Sequence, residues 1–415
     1  MSQDLPQAPK SKILLYAFFI YAVLSMTSMA MMSIGAALWV LALIYYFGSL
    51  SETGRALRTE FKRPETRTYL LISGILMMAC ALSSVSAIFF PLVVAGEGPH
   101  VHFPGDLLKL WYFLWPWLLV TGLREMDKKS KAQILRTWLI TFGVISAIGV
   151  IQYFTGWPRP QFIPEHPNRY HATIFFGHHL STASILIFPF FTALDLWRTK
   201  RSEVVLPKRI LGLFVALGLL ALIFTFSRTL LVALPCGVLV WGVWNLFRTR
   251  KSYAVILCGV LLGASALIYQ VPSVHSRFNR GGGIWERKQL WETNWEFFKT
   301  RPWTGVGFRH NEELAGRLLE QRAKGDYFFA GHAHNNFLEM LAGTGSIGTL
   351  SFLLFCFFIF ALTYRKTQRP DEDFPIYRGL FCAWIVFQLN GLTQVNFWDA
   401  KVMHQMFWCL SWTLL

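Results

Sequence analysis

Charged residues are scarce in this chain of 415 amino acids. They make up 15% of the sequence, against 54% hydrophobic residues, whereas a soluble domain has about a quarter charged residues. Apolar runs of about 20 residues recur along the chain, which is the length of a helix that crosses a bilayer. Backbone groups in lipid have no water partner, and short alternating strands are lacking here. We therefore expect an all-α polytopic membrane protein rather than a soluble domain or a β-barrel.

The apolar runs predict about 12 transmembrane helices with both termini on one side. They lie at residues 13–30, 33–50, 69–90, 106–123, 137–154, 173–194, 210–227, 229–247, 253–271, 346–364, 379–395 and 402–415. The N-terminal segment and the connections on its side hold 24 of the 39 Lys and Arg residues, and the short connections on the other side hold 4. The positive-inside rule therefore places both termini in the cytoplasm. The net charge of +16 is then explained by topology, with anionic membrane lipids as neighbours and no nucleic acid as partner.

The chain also lacks the sequence marks of several kinds of site. All six cysteines fall within predicted spans, so we expect neither a disulfide nor a thiolate metal site. The glycine-rich stretch RGGGIW has no Lys-Ser/Thr of a nucleotide loop, and no Gly-x-Ser-x-Gly turn occurs. Met1–Lys12 is polar, and no small-residue cleavage site follows the first apolar run. We therefore expect no cleaved signal peptide.

One outer connection differs from the others in length and composition. Residues 272–335 contain 10 Lys and Arg residues and 7 Asp and Glu residues, and a loop of this length escapes the charge rule for short loops. Within it, IWERKQLWETNWEFF (284–298) places aromatic and aliphatic residues at helical spacing, which predicts an amphipathic helix at the membrane interface. We divide the chain into residues 1–271 with spans 1–9, a partly helical outer loop at 272–345, and residues 346–415 with the last three spans.

The segment GHAHNNFLEM (331–340) contains the main candidate for chemistry. Asn336 and Glu339 resemble a capping box, so we expect a helix to begin near Phe337. The positive end of that helix would keep the neighbouring His334 imidazole neutral and able to accept a proton. The alternative is a polar capping cluster without catalytic function.

Arginines on the outer side have two interpretations. Arg228 lies in the tight connection between spans seven and eight, where it either serves function or extends its side chain to the interface. Arg280, Arg287 and Arg309 lie in the outer loop, either as solvated surface residues or as a converging group. A converging group would bind the diphosphate of a lipid-linked substrate, because a guanidinium grips phosphate in a bidentate way.

Histidines also raise a metal site as an alternative. His332-x-His334, together with His178-His179 at the start of span six, offers imidazoles to zinc. The outer segments show no acidic cluster and carry surplus positive charge, which opposes a cation. We therefore expect no metal and no cofactor, with His178 and His179 lining the same cavity or capping span six.

The order of these motifs resembles a known family. FSRTLL on a membrane hairpin precedes RKQLWETNWEFFKTRPWTGVGF and then HAHNNFLEMLAGTGSIG. This sequence is similar to the O-antigen ligase and polymerase superfamily, whose pattern is Ser-Arg at a span end, Arg-x-x-x-Trp, Pro-x-x-Gly-x-Gly and His-Asn-x-x-Leu. The motifs cover residues 210–360.

The resemblance implies a metal-independent inverting glycosyl transfer at the periplasmic face of the bacterial inner membrane. The implied donor is a glycan on undecaprenyl diphosphate, and the acceptor of a ligase is a sugar hydroxyl of the lipid A core. By motif, His334 matches the essential histidine, and Arg228, Arg287 and Arg309 match the diphosphate-binding arginines. Arg280, His332 and Asn335 are further candidates for substrate binding.

The chemistry is consistent with these roles, and other functions stay open. A glycosyl diphosphate leaves as a stabilised anion, so the reaction needs a base and positive charge but no carboxylate pair. A polymerase differs from a ligase only in its acceptor, and a protein-glycosylating ligase is a third member of this class. A twelve-span transporter is the alternative from another class; Lys109 is its main charged residue within a span.

Overall fold

A computed structural model of the chain describes residues 9–94, 96–98, 105–163, 166–199, 204–247, 282–324, 327–368 and 376–415. These residues are mostly helical. The α-helices are α1 (Pro9–Leu24), α2 (Met29–Phe47), α3 (Leu50–Phe61), α4 (Pro64–Phe89), α5 (Gly105–Leu108), α6 (Trp115–Arg124), α7 (Lys128–Thr155), α8 (His179–Arg198), α9 (Lys208–Phe224), α10 (Arg228–Phe247), α11 (Gly282–Thr300), α12 (Asn311–Ala323), α13 (Asn336–Thr367), α14 (Tyr377–Asn390) and α15 (Ala400–Leu414).

Five of the described helices, α2, α4, α7, α8 and α13, are long and apolar enough to cross a membrane. Large apolar side chains point outward from them; Leu41, Met78 and Phe357 are 63%, 71% and 70% exposed. Exposed apolar surface of this kind indicates contact with lipid rather than water. The protein is therefore a helical membrane protein. The number of 12 spans stays a prediction, and the predicted span 253–271 lies outside the described residues.

Two regions depart from the regular helices expected from the sequence. Residues 106–123 form α5, a 3₁₀ helix (Lys109–Leu114) and α6 instead of one regular α-helix. The Trp115 N–H bonds to the carbonyl three residues back, and the following Pro116 has no N–H to continue an α-helical pattern. The outer connection before α8 contains a two-stranded antiparallel ribbon, β1 (Phe162–Ile163) and β2 (His166–Tyr170).

Helix α8 lies in the centre of the membrane-embedded core. It is buried along most of its length and packs against α9, α14 and α15. At its outer end the Ser181 hydroxyl donates a hydrogen bond to Asp399, the residue that caps α15. This packing brings the outer ends of α8 and α15 side by side, and the candidate site lies there.

A second, smaller core joins the outer segment to the first turns of α13. It contains Val94, Leu290, Phe297, Val306, Leu314, Ala315, Leu319 and Ala342. Apart from Val94, which follows α4, these residues come from α11, α12, the turn 301–309 and α13, so they hold the two outer helices on the start of α13 by burial of apolar surface. A helix at 284–298 is confirmed as part of α11, and its position at the membrane interface stays a prediction.

The turn between α11 and α12 is fastened to a break in α13. Gly345 has a φ of 63° inside α13, a conformation that only glycine adopts readily. The Val306 and Gly307 N–H groups donate to the carbonyls of Ala342 and Gly343 at 2.9 and 3.0 Å. The backbones approach so closely that a Cβ on Gly345 would overlap the Trp303 carbonyl. The turn and the helix break are therefore one structural unit.

Candidate active site

The helix that follows the histidines begins with a cap different from the predicted one. The Asn335 Oδ1 atom accepts hydrogen bonds from the N–H groups of Phe337 and Leu338 at 2.8 and 3.0 Å. Asn335 is therefore the N-cap, and the expected capping box of Asn336 and Glu339 is wrong by one residue. The Glu339 carboxylate instead accepts from the Ala333 N–H at 2.8 Å, which holds the preceding segment in place.

Asn336 has a separate role in packing. Its side chain is fully buried, donates to Asn396 Oδ1 at 2.6 Å and accepts from the Phe397 N–H at 3.2 Å. These bonds tie the start of α13 to the connection between α14 and α15. The Asn335 side-chain N–H also donates to the Leu392 carbonyl at 2.9 Å, so both asparagines fasten the histidine segment to this connection.

His334 is held in an unusual backbone conformation with one ring nitrogen unused. Its φ is 47°, and its backbone N–H donates to Nδ1 of His332 at 3.2 Å. The two imidazole centroids are 4.2 Å apart. The Nδ1 atom of His334 is buried and has no hydrogen-bond partner among the described residues. Such an atom is available to a ligand rather than to the fold.

The surroundings keep this imidazole neutral. Burial, and next the charges of His332, Arg287 and His178, lower the pKa of His334 to about 3. The imidazole is therefore uncharged at neutral pH, and the uncharged imidazole is the form that accepts a proton.

One of the predicted arginines, Arg287, lies near this histidine, and Arg228 lies near Arg287. The pKa of Arg287 is lowered mainly by burial and next by the charge of Arg228. Arg287 is in turn close enough to His334 for its charge to act on the imidazole. Among the described residues neither guanidinium forms a salt bridge with a carboxylate. Arg287 is thus within electrostatic reach of both Arg228 and His334, although the three are far apart in sequence, and the carboxylate of Glu286 also acts on it.

A cavity of about 380 Å³ opens in front of His334. Its lining residues come from α8, α12, the histidine segment and the connection before α15: His178, Leu180, Ser181, Glu312, Phe329, Ala330, Gly331, His332, His334, Gln394, Val395, Asn396 and Asp399. His178 has both of the roles expected for it, since it lines this cavity and its Nδ1 atom caps α8 by accepting from the Leu180 N–H. His179 stacks between His178 and His171, with ring centroids 4.7 and 4.4 Å apart.

A second cavity of about 330 Å³ adjoins the first. The two share Glu312, His332, Val395 and Asp399 as lining residues. Arg309 lines the second cavity and pairs with Asp106 at 3.5 Å. It is therefore separated from the pair formed by Arg228 and Arg287. Lys109, whose surroundings the sequence left open, also lines this second cavity.

Sequence reasoning missed the acidic residues of the site. Glu312 and Asp399 line the first cavity, although no acidic cluster is visible in the outer segments of the sequence. They come from α12 and the cap of α15, which only the fold brings together. Within the part of the chain that the structure describes, no group of three or more His, Cys, Asp or Glu residues is arranged to hold a metal ion. Arg280 lies outside the described residues.

The match to a known family covers the residues just described. Residues 213–353 match the family model described as O-antigen ligase. Over this region the chain is similar to the O-antigen ligase family. It begins in α9, ends in α13 and includes Arg228, Arg287, Arg309, His332 and His334, so the resemblance seen in the motifs is confirmed. No curated protein shows significant similarity to the chain.

The contacts explain two motifs of the matched region. In Arg-x-x-x-Trp, the Trp291 indole N–H donates to the Ala333 carbonyl at 2.9 Å, which holds α11 against the histidine segment. In Pro-x-x-Gly-x-Gly, the glycines permit the close approach of the turn to the break in α13. His178, Lys109 and Asp399 lie outside the matched region, and the cavities therefore extend beyond it.

Proposed function

We propose that this protein is an O-antigen ligase, a metal-independent inverting glycosyltransferase of the bacterial inner membrane. It moves a glycan from undecaprenyl diphosphate to a sugar hydroxyl of the lipid A core at the periplasmic face. The observation that carries the proposal is the neutral His334 imidazole, whose buried Nδ1 atom has no hydrogen-bond partner among the described residues, with Arg287 near it and Arg228 near Arg287. A base and a diphosphate clamp are the two elements that this transfer requires.

The proposed reaction is a single displacement at the anomeric carbon of the donor sugar. The acceptor hydroxyl oxygen forms the new bond to that carbon while the bond from the carbon to the diphosphate oxygen breaks. His334 takes the hydroxyl proton, and the diphosphate leaves with the electron pair of the broken bond. Arg228 and Arg287 stabilise the charge that develops on the departing oxygens. The leaving anion is already stable, so no residue has to protonate it.

Other residues around the two cavities have further roles in the proposal. Glu312 and Asp399 accept hydrogen bonds from hydroxyl groups of the acceptor sugar, since carboxylates are strong acceptors. Asp399 is fixed for this by the Ser181 hydroxyl and the Lys401 N–H. Arg309 makes the second cavity more positive, and Asn335 maintains the helix start that positions His334.

A reconstituted transfer assay tests the proposal. The purified protein is given lipid-linked glycan and rough lipopolysaccharide in the presence of a chelator. We expect the glycan to be attached to the core, and His334→Ala to lower the rate by at least ~100-fold while the protein stays folded. Near wild-type transfer by that variant would reject His334 as the base.

The same assay separates the ligase from the polymerase. A polymerase would lengthen the glycan on its lipid carrier without adding it to the lipid A core. In a strain that lacks the gene, a ligase defect leaves long glycans on the carrier, whereas a polymerase defect leaves single repeat units on the core. Elongation without core attachment would replace the ligase assignment by the polymerase.

A further inference from the structure

The outer segment contains a third cavity, separate from the two around His334. It has a volume of about 280 Å³ and lies between α11, α12 and the residues that follow α12. Its lining residues are Trp285, Gln289, Glu292, Thr293, Leu319, Arg322, Ala323, Tyr327 and Phe328. None of these residues has a role in the proposed transfer. We refer to this cavity as the outer groove.

The outer groove combines aromatic rings with polar side chains. Trp285 is 49% exposed and Tyr327 is 68% exposed, so both present ring surface to a ligand. Glu292 and Arg322 offer a carboxylate and a guanidinium beside the rings. Aromatic faces next to polar hydrogen-bonding groups suit a sugar, which has apolar C–H faces and hydroxyl edges. Within the protein Arg322 pairs with Glu296 at 2.7 Å, and Glu292 pairs with Lys288 at 3.7 Å.

Two buried polar atoms of the groove have no partner within the protein. Thr293 is fully buried, and its hydroxyl has no hydrogen-bond partner among the described residues. The same holds for the buried Oε1 atom of Gln289. Buried polar atoms are nearly always paired, so an unpaired hydroxyl and an unpaired amide oxygen in one cavity wall indicate a ligand that supplies the missing bonds.

Helix α11 lies between the outer groove and the proposed reaction site, and it contributes residues to both. With 100° between successive residues, Trp285, Gln289, Glu292 and Thr293 share one face of the helix. Arg287 lies on the opposite face of the helix, close enough to Arg228 for the two charges to interact. The outer groove is therefore about one helix diameter, roughly 10 Å, from the diphosphate clamp. A glycan several sugars long, attached to the diphosphate, can pass around α11 and reach it.

We propose that the outer groove binds sugar residues of the donor glycan that lie beyond the reacting sugar. Trp285 and Tyr327 stack on a sugar ring, and Thr293 and Gln289 hydrogen-bond to its hydroxyl groups. Binding there holds long glycans on the enzyme and favours their transfer over that of short ones. The identity of the ligand as the donor glycan rests on the proposed function.

Direct binding tests the groove without requiring transfer. The probe is lipid-free oligosaccharide of several repeat units, released by mild acid from the glycolipid of the source strain. Binding to the full-length protein in nanodiscs is followed by saturation-transfer NMR. We expect Trp285→Ala and Thr293→Val to weaken binding by about tenfold, a typical loss for a buried contact residue. Thr293→Val keeps the shape of the side chain, so it separates a lost hydrogen bond from misfolding.

Trp295 provides a matched control. It lies on the same helix and is 47% exposed, close to the 49% of Trp285, but it does not line the groove. Trp295→Ala should bind the oligosaccharide like the wild type. Equal loss in both tryptophan variants, or no loss in either, would overturn the proposal. If spin-labelled phosphatidylglycerol in the nanodisc quenches the fluorescence of Trp285 and oligosaccharide does not change that fluorescence, the groove would be assigned to the membrane surface instead.

Transfer measurements add a second test. Trp285→Ala should lower kcat/KM for a donor with many repeat units by about tenfold and leave that for a donor with one sugar unchanged. Loss of both activities to the same degree would place Trp285 in general folding and reject the glycan groove. Binding of the oligosaccharide by a protein that transfers nothing would support the groove and count against the proposed function alone.

Discussion

The indole N–H of Trp291 donates a 2.9 Å hydrogen bond to the carbonyl oxygen of Ala333. This bond joins two parts of the site that differ in function. Trp291 lies one helical turn beyond Arg287, and Ala333 directly precedes His334. The distance between the base and the diphosphate clamp is therefore set by a side chain that contacts neither substrate.

Trp291→Phe tests this positioning. The substitution keeps the ring and removes the donor, so the free energy of unfolding should fall by only about 1 kcal/mol. Displacement of His334 from Arg287 should lower kcat by at least ~10-fold, because transfer depends steeply on the position of reacting groups. Thermal unfolding in detergent and steady-state kinetics measure the two effects. Trp295→Phe is the control on the same helix, and an equal loss of kcat there would contradict the positioning role.

The pH dependence of transfer follows from the neutral His334. Burial lowers its pKa to about 3, so in the free enzyme the base is lost only as the pH falls toward that value. The acid limb of kcat/KM, which reports the free enzyme, should therefore lie well below the ordinary histidine pKa of about 6.5.

Bound donor changes this value in a defined direction. The negative diphosphate favours the protonated imidazole and raises the pKa of His334, so the acid limb of kcat should lie at higher pH than that of kcat/KM. Rate profiles from about pH 2 to 8 check the order of the two limbs, with about tenfold change per pH unit on each. His334→Gln should show neither limb, and an unchanged limb in that variant would assign it to another group.

Arg287→Lys and Arg228→Lys keep the charge but remove the planar fork that binds phosphate in a bidentate way. Each should lower kcat/KM by about 10- to 100-fold, equivalent to one charge-assisted hydrogen bond. Inhibition by inorganic diphosphate should weaken by a similar factor. Lys288→Ala is the control, because Lys288 follows Arg287 in α11 and its side chain is 71% exposed. Unchanged diphosphate inhibition in both arginine variants would place the leaving group elsewhere.

Gly345→Ala tests the contact between the turn and the break in α13. A Cβ at this position meets the Trp303 carbonyl, and the φ of 63° is strained for alanine. We expect the free energy of unfolding to fall by about 1–3 kcal/mol. Gly54→Ala in α3 is the opposite case, since no atom lies within 4 Å of the added Cβ. It should be neutral or stabilising by about 0.5–1 kcal/mol, and comparable losses in both variants would contradict the role of the close approach.

The sequence predicts those residues of the candidate site that belong to short local motifs. Motifs identify Arg228, Arg287 and His334. Each of these motifs lies in a predicted helix or at the end of one. The cap was assigned one residue too far along, because Asn335 and Asn336 have the same side chain and only the backbone geometry distinguishes them.

Other parts of the site had no local signal. Asp399 and Glu312 reach the cavity because α8, α12 and α15 pack together, and a residue's position in one helix does not reveal its neighbours in another. The 3₁₀ stretch before Pro116 was missed for a similar reason, since apolar composition predicts a span but does not distinguish the two kinds of helix.

The backbone bonds between the turn at Val306 and Ala342 have a consequence for how related proteins can vary. They fix the chain just before Arg309, and the Trp291 bond fixes it just before His334. The residues between these two anchors, most of them in α12, form a loop with both ends tied down. Insertions directly after the end of α12, at the exposed Lys324, should be tolerated without displacement of either anchored segment, whereas a single inserted residue inside the turn 302–307 should separate them.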